Sequence, residues 1–270
     1  MTATDIDIIA PEAIPGVRVM PVLHERVDLA PVVRQVLQEL RPDAVAVELP
    51  TTLAEVAARA VARLPRISAV ISEEPGEDAL VWIAVPGDPL VEGMRWASER
   101  ERRTLLVDPD LRYHHQRHDP LPDPHTIHEL GADTYLDLVR RLADDAPYDE
   151  RDTLRERGMA YHLQTASAKL GGSIVCLVGA AHASRLAGYL TGETAPPLAK
   201  QRRRQVLLRH LHPESMTAVL HDPPLAHAVY EFNRMGPLPT EPDFQATVAP
   251  RLELPQAGLT LVTGGDSDDE

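Results

Sequence analysis

The stretch VMPVLHERVDLAPVVRQVLQELRPDAVAVELP, Val19 to Pro50, decides the fold class. The apolar run Val17 to Leu23 reads as a strand that ends at His24. Asp28 then offers an N-cap, and Leu29, Val32, Val33, Val36, Leu37 and Leu40 follow at helical spacing. Arg41-Pro42-Asp43 breaks that helix, and Ala44 to Leu49 resumes as a strand carrying Glu48. After Pro50, Thr52 and Glu55 have capping-box spacing at the head of TTLAEVAARAVARL. Strand, helix, strand, helix is the pattern of parallel βαβ units, so the class predicted is α/β, with a mainly parallel or mixed central sheet flanked by helices.

Further along, ALVWIAV predicts a strand, Asp88-Pro89 a helix start, and TLLVD a strand ending at Asp108. The segment 109–129 holds five of the twelve histidines and four prolines, too much punctuation for a regular element, and reads as a long loop. Helical patterns return in ADTYLDLVRRLADD and in DERDTLRERGMAYHLQTASAKL, the latter stopped by Gly171-Gly172. SIVCLV is then a strand whose turn, GAAH, ends on His182. Three divisions follow: an α/β domain over 1–194, a helical extension over 195–236 packed on the body, and an extended acidic tail over 237–270. Within the extension QRRRQVLLRHL, PESMTAVLHD and PPLAHAVYEFNRMG predict three short helices, with Val206, Leu207, Leu208, Leu211, Leu225, Val229 and Phe232 as apolar faces needing cover. Docking on the body or a homodimer through these helices would supply it.

Composition excludes several function classes. With 27 Lys+Arg against 41 Asp+Glu the net charge is −14, which repels a phosphate backbone and argues against nucleic-acid binding. Arg202 to Arg204 then read as a solvated helix face. No apolar run approaches the ~20 residues of a membrane span, and the first residues lack a secretory pattern, so a cytoplasmic location is expected. The single Cys176 lies in an apolar run and reads as a buried, inert thiol. Phosphate-loop, dinucleotide and nucleophile-elbow motifs are absent from the sequence. His114, His115, His118, His125 and His128 match no compact zinc spacing.

What remains is polar residues at strand ends. His24, Glu48, Asp108 and His182 each close a predicted strand, and in a parallel sheet they share the C-terminal edge where open α/β folds bind ligands. A carboxylate ending the run AVAVEL is costly to bury alone, so Glu48 needs a cation, a metal or several donors beside it.

In order, PVLH (Pro21 to His24), RPDAVAVELP (Arg41 to Pro50), RERGMA (Arg155 to Ala160) and LVGAAH (Leu177 to His182) resemble the motifs of the TraB/PrgY, TIKI and erythromycin esterase/ChaN-like superfamily. The resemblance spans about residues 17 to 190, and departs from the family at Pro21, where a glycine is usual. It implies His24, Glu48, Arg155 and His182 as pocket residues, with Asp108 and, more weakly, Glu156 beside them. The TIKI branch implies a metal-dependent peptidase. The first expectation is a hydrolase in which His24, Glu48 and His182 hold a divalent metal that activates water, with Asp108 as a candidate further ligand and Arg155 stabilising the oxyanion. The esterase branch implies hydrolysis by histidine and glutamate without metal. Two function classes stand: a hydrolase acting on a peptide, ester or phosphoester as its small-molecule or peptide substrate, and a non-catalytic sensor or scaffold that retains the fold.

Overall fold

The computed structural model describes residues 3–73, 79–111, 122–123, 126–197, 203 and 205–234, all within one compact unit. In chain order the elements are α1 (Ala3–Ile9), β1 (Glu12–Ile14), β2 (Val17–Val22), α2 (Ala30–Leu40), β3 (Ala44–Pro50), α3 (Ala54–Val61), β4 (Ser68–Glu73), β5 (Leu80–Ala84), α4 (Pro89–Glu99) and β6 (Arg103–Asp108). They continue as α5 (Thr126–Leu130), α6 (Ala132–Asp145), α7 (Glu150–Leu170), β7 (Ile174–Gly179), α8 (Ala180–Leu190), β8 (Gln205–His210), α9 (Pro213–Val219) and α10 (Pro224–Asn233). The class is α/β, as the opening stretch dictates. A five-stranded sheet runs in the order β1-β2-β7-β3-β6, parallel except for β1.

The central strands β3 and β7 are buried along their whole length. Their alternation sends Val45 and Val47 to the face covered by α2, α3 and α4, while Ala44 and Ala46 pack with Cys176, Met159 and Leu163 under α7 and α8. Helices on both faces explain why these strands read as continuous apolar runs. Strand β7, the last of the five in sequence, inserts between β2 and β3. That insertion brings the ends of the three strands carrying His24, Glu48 and Gly179 side by side.

Local signals fared unevenly. Asp88 caps α4 by accepting from Val91 N–H at 2.8 Å, and Gly171 ends α7 in the left-handed conformation at φ 63°. Asp28 and Thr52 do not cap. Asp28 faces Arg26 and His128, and Thr52 is drawn to Asp110. Pro21 lies in β2 opposite Val178. Two residues earlier, Val19 N–H leaves the β7 ladder to donate to Pro11 O at 3.0 Å, so the next backbone nitrogen on that outer edge belongs to Pro21, which has no N–H to satisfy.

The extension departs from its expected form. QVLLRH is strand β8, not a helix, and pairs antiparallel with β4, which pairs in turn with β5; ALVWIAV thus belongs to this second sheet and not to the parallel one. The free edge of β4 overrides local helical spacing, and Val206 and Leu208 share one strand face against the main core. The helices α9 and α10 do form, but α10 docks by the opposite face from the apolar one. His227, Tyr230 and Arg234 are buried, whereas Leu225 and Phe232 are 51% and 75% exposed. Ion pairs draw the polar face in. Arg234 meets Glu92 at 2.7 Å and Glu99 at 2.6 Å, and Arg95 meets Glu231 at 2.5 Å. The chain from 205 to 234 is therefore woven into the body. The tail over 237–270 and His114, His115, His118 and His125 lie outside the described residues. No helix among the described residues is long and apolar enough to cross a membrane.

Candidate functional site

Glu48 is the centre of the site. It sits near the end of β3 with its side chain 4% exposed, and every contact around it follows from the need to neutralise that carboxylate. Gly179 N–H donates to Oε2 at 2.6 Å and Arg155 Nη2 to Oε1 at 2.6 Å. His24 Nε2 stands 3.6 Å from Oε2 on one side and His182 Nε2 3.7 Å from Oε1 on the other. The two histidines thus meet at one carboxylate, and the four pocket residues anticipated from the sequence come together.

Arg155, on α7, is shared between strands. Its Nη2 reaches Asp108 Oδ2 at 2.7 Å and its Nε the same oxygen at 3.3 Å, while Nη1 lies 3.2 Å from His182 Nε2. Among the described residues these contacts engage four of the guanidinium's five N–H groups, leaving one on Nη1. His182 is not at a strand end but in the first turn of α8, and its Nδ1 is 2.8 Å from Glu156 Oε1. Nδ1–H donates to that carboxylate, which turns the Nε2 lone pair toward Arg155. Glu156 is fully buried and is matched by Arg185, which donates to both its oxygens at 2.9 and 3.0 Å and stacks over Tyr148.

The electrostatics follow from this crowding. Burial would raise the Glu48 carboxyl, but the charge of Arg155 and the contact with His24 hold it well below the usual carboxylate range. Desolvation works to lower His24, yet the contact with Glu48 and its charge overcome it, so the imidazole is raised above its ordinary value. Burial, with Glu48 nearby, pushes the Cys176 thiol up, which fits an inert core residue. Of the site's groups His24 is the open one, its side chain 46% exposed while those of Glu48 and His182 are 4% and 6% exposed.

The metal set expected on His24, Glu48 and His182, with Asp108, does not fit. The cation between Glu48, Asp108 and His182 is Arg155, whose N–H groups already occupy the lone pairs a metal would need. Among the described residues no trio of His, Cys, Asp or Glu is arranged to hold a metal ion.

The chain matches no known family model, no curated protein and no solved structure. The site therefore stands on its own geometry.

Sequence reasoning missed three participants. Arg185 follows His182 by three residues on α8, a spacing that puts both on one helix face, so that signal was present. Gly179 lies within LVGAAH, but its role needs the neighbouring strands: a Cβ there would lie 3.0 Å from His24 Nε2 and 3.1 Å from Glu48 Oε2. A side chain at this position would crowd the contact that His24 and Glu48 make across the end of β7. The third is Arg203, which is not on the solvated helix face that its run of arginines predicts: its side chain is 7% exposed and reaches Asp110 Oδ1 at 2.5 Å.

Gly179 has φ −52°, open to any residue, so Gly179→Ala tests the close approach alone. The added methyl is expected to press His24 away from Glu48 at a cost of about 1 kcal/mol. NMR titration of the ring should then show the His24 midpoint moving down. An unchanged midpoint would mean that His24 does not depend on this contact.

Proposed function

We propose that the protein is a metal-independent hydrolase in which His24 is the general base. The observation that carries this reading is the pairing of an exposed imidazole with a buried carboxylate held ionised. Glu48 favours the tautomer with the proton on Nε2, leaving Nδ1 to take a proton from water. The water oxygen attacks the carbonyl carbon or phosphorus of an ester, peptide or phosphoester. The oxyanion that develops accepts the remaining N–H of Arg155, and the imidazolium returns its proton to the leaving group. Arg155 is primarily the cation that allows two buried carboxylates to coexist, with its one uncommitted N–H as the link to substrate. The motif order resembling the TraB/PrgY, TIKI and erythromycin esterase/ChaN-like superfamily supports the same class of chemistry. A cytoplasmic location fits the lone buried thiol, and a net charge of −14 turns nucleic acid away.

A panel of ester, peptide and phosphoester reporters, run with and without a chelator, tests the reading. Turnover that survives chelation and disappears with His24→Asn is expected; turnover abolished by chelation would overturn the metal-independent mechanism. One observation favours the second class, a sensor or scaffold: four of the five N–H groups of Arg155 are satisfied within the protein. That class predicts no turnover of any reporter.

A further inference from the structure

The loop that leaves β6, Asp108-Pro109-Asp110, connects the site to a part of the chain far from it in sequence. Asp108 divides its carboxylate: Oδ2 holds Arg155, while Oδ1 accepts the Asp110 N–H at 3.1 Å, an Asx turn. Asp110 is fully buried and left-handed at φ 59°, a conformation that Asp adopts more readily than most non-glycine residues. Arg203 holds it there. Its Nη2 donates to Asp110 Oδ1 at 2.5 Å and its Nε to Oδ2 at 2.9 Å, a two-pronged grip, and Nε also lies 2.9 Å from Thr52 Oγ1. Thr52 itself donates to Asp110 and stands in the turn just after β3, four residues beyond Glu48. Arg203 therefore ties together the ends of the two strands that carry Glu48 and Asp108. On the far side Gly158 of α7 abuts the same loop so closely that a Cβ would lie 2.6 Å from Pro109 Cγ, leaving the loop little room to shift.

We propose that Arg203 is a positioning residue of the site: through Asp110 it holds Asp108 on Arg155, and so fixes the charge balance at Glu48 and His24. The site then depends on Arg203, which follows the α/β elements in the chain. The proposal rests on the reading of His24 and Glu48 as the working pair, but it concerns the free protein and needs no substrate. Without Arg203 the buried Asp110 loses this two-pronged grip, the Asx turn loosens and Asp108 withdraws. Arg155 then falls to Glu48 alone, which offsets more of the charge that His24 senses.

The test uses the full-length chain, 15N-labelled, with two NMR readouts: solvent exchange of the Arg155 Nε–H and titration of the His24 ring. In Arg203→Ala the Nε–H is expected to exchange about tenfold faster or more, as local opening becomes easier, and the His24 midpoint to move down. Arg203→Lys, a point charge in place of a planar fork, should fall between. Leu208→Ala serves as the control, since this β8 residue pairs with Val70 of β4 and packs on the main core, and should lower Tm with both readouts unchanged. An Arg203→Ala protein that is destabilised yet shows wild-type exchange and titration overturns the proposal and leaves Arg203 a merely structural residue. If that variant does not fold, Arg203→Lys decides by the same readouts. Failure of every hydrolysis reporter would sink the hydrolase reading without touching this one.

Discussion

Replacing Arg155 by Met is expected to destabilise the protein by about 3–5 kcal/mol at pH 7, the usual result of removing one partner from a buried ion pair. The guanidinium is 13% exposed and faces two carboxylates, Glu48 and Asp108, at 4% and 1% exposure. Methionine fills the volume but leaves both negative charges without it, and His24 reaches only one of them. Glu48→Gln is the instructive comparison. It leaves Arg155 with Asp108, one charge of each sign, so its cost should be nearer the ~1–3 kcal/mol of a disturbed buried hydrogen bond.

The loss in Arg155→Met should also depend on pH, with a definite sign. In the wild type the folded Glu48 titrates well below its ordinary 4.5, so its contribution is present above that value and lost as pH falls through the folded pKa. In the variant Glu48 has lost the guanidinium that opposed its burial, so its carboxyl moves up and its penalty eases as it takes up a proton. The gap between the two proteins therefore narrows from pH 7 toward pH 4. Urea melts at several pH values read this directly. A variant within about 1 kcal/mol of wild type at pH 7 would mean that the cluster is hydrated and weak.

For the proposed hydrolysis, loss of His24 should have the largest effect. His24→Asn is expected to lower kcat/KM by about 10²–10⁴-fold, the usual contribution of a positioned base. Little stability should go with it, because the ring is half open to solvent. The acid limb of the pH–rate profile should lie above 6.5, since the base works only when neutral and Glu48 raises its pKa. Stability runs the other way. A raised histidine contributes fully below 6.5, and that contribution is lost as pH rises through the folded pKa. Activity and the stabilising contact of His24 are thus favoured on opposite sides of one titration. A rate profile flat across that range would remove His24 from the chemistry.

The sequence by itself determined the α/β class, the parallel strands that end at His24, Glu48 and Asp108, and the helix that presents Arg155. Those features are local. Apolar periodicity distinguishes strand from helix, and a charged residue closing a buried strand announces a site, because burying it alone is too costly. The tertiary structure decided the rest. Whether VLLRH is strand or helix depended on the free edge of β4, more than a hundred residues away. The choice of a guanidinium over a metal at the centre depended on α7 placing Arg155 between two strand ends. Arg203 carries no sign of its role in a run of three arginines, since a cation's partner is set by which carboxylate the folded chain leaves buried beside it. The Gly179 contact likewise exists only because β7 inserts between β2 and β3, an order that no periodicity records.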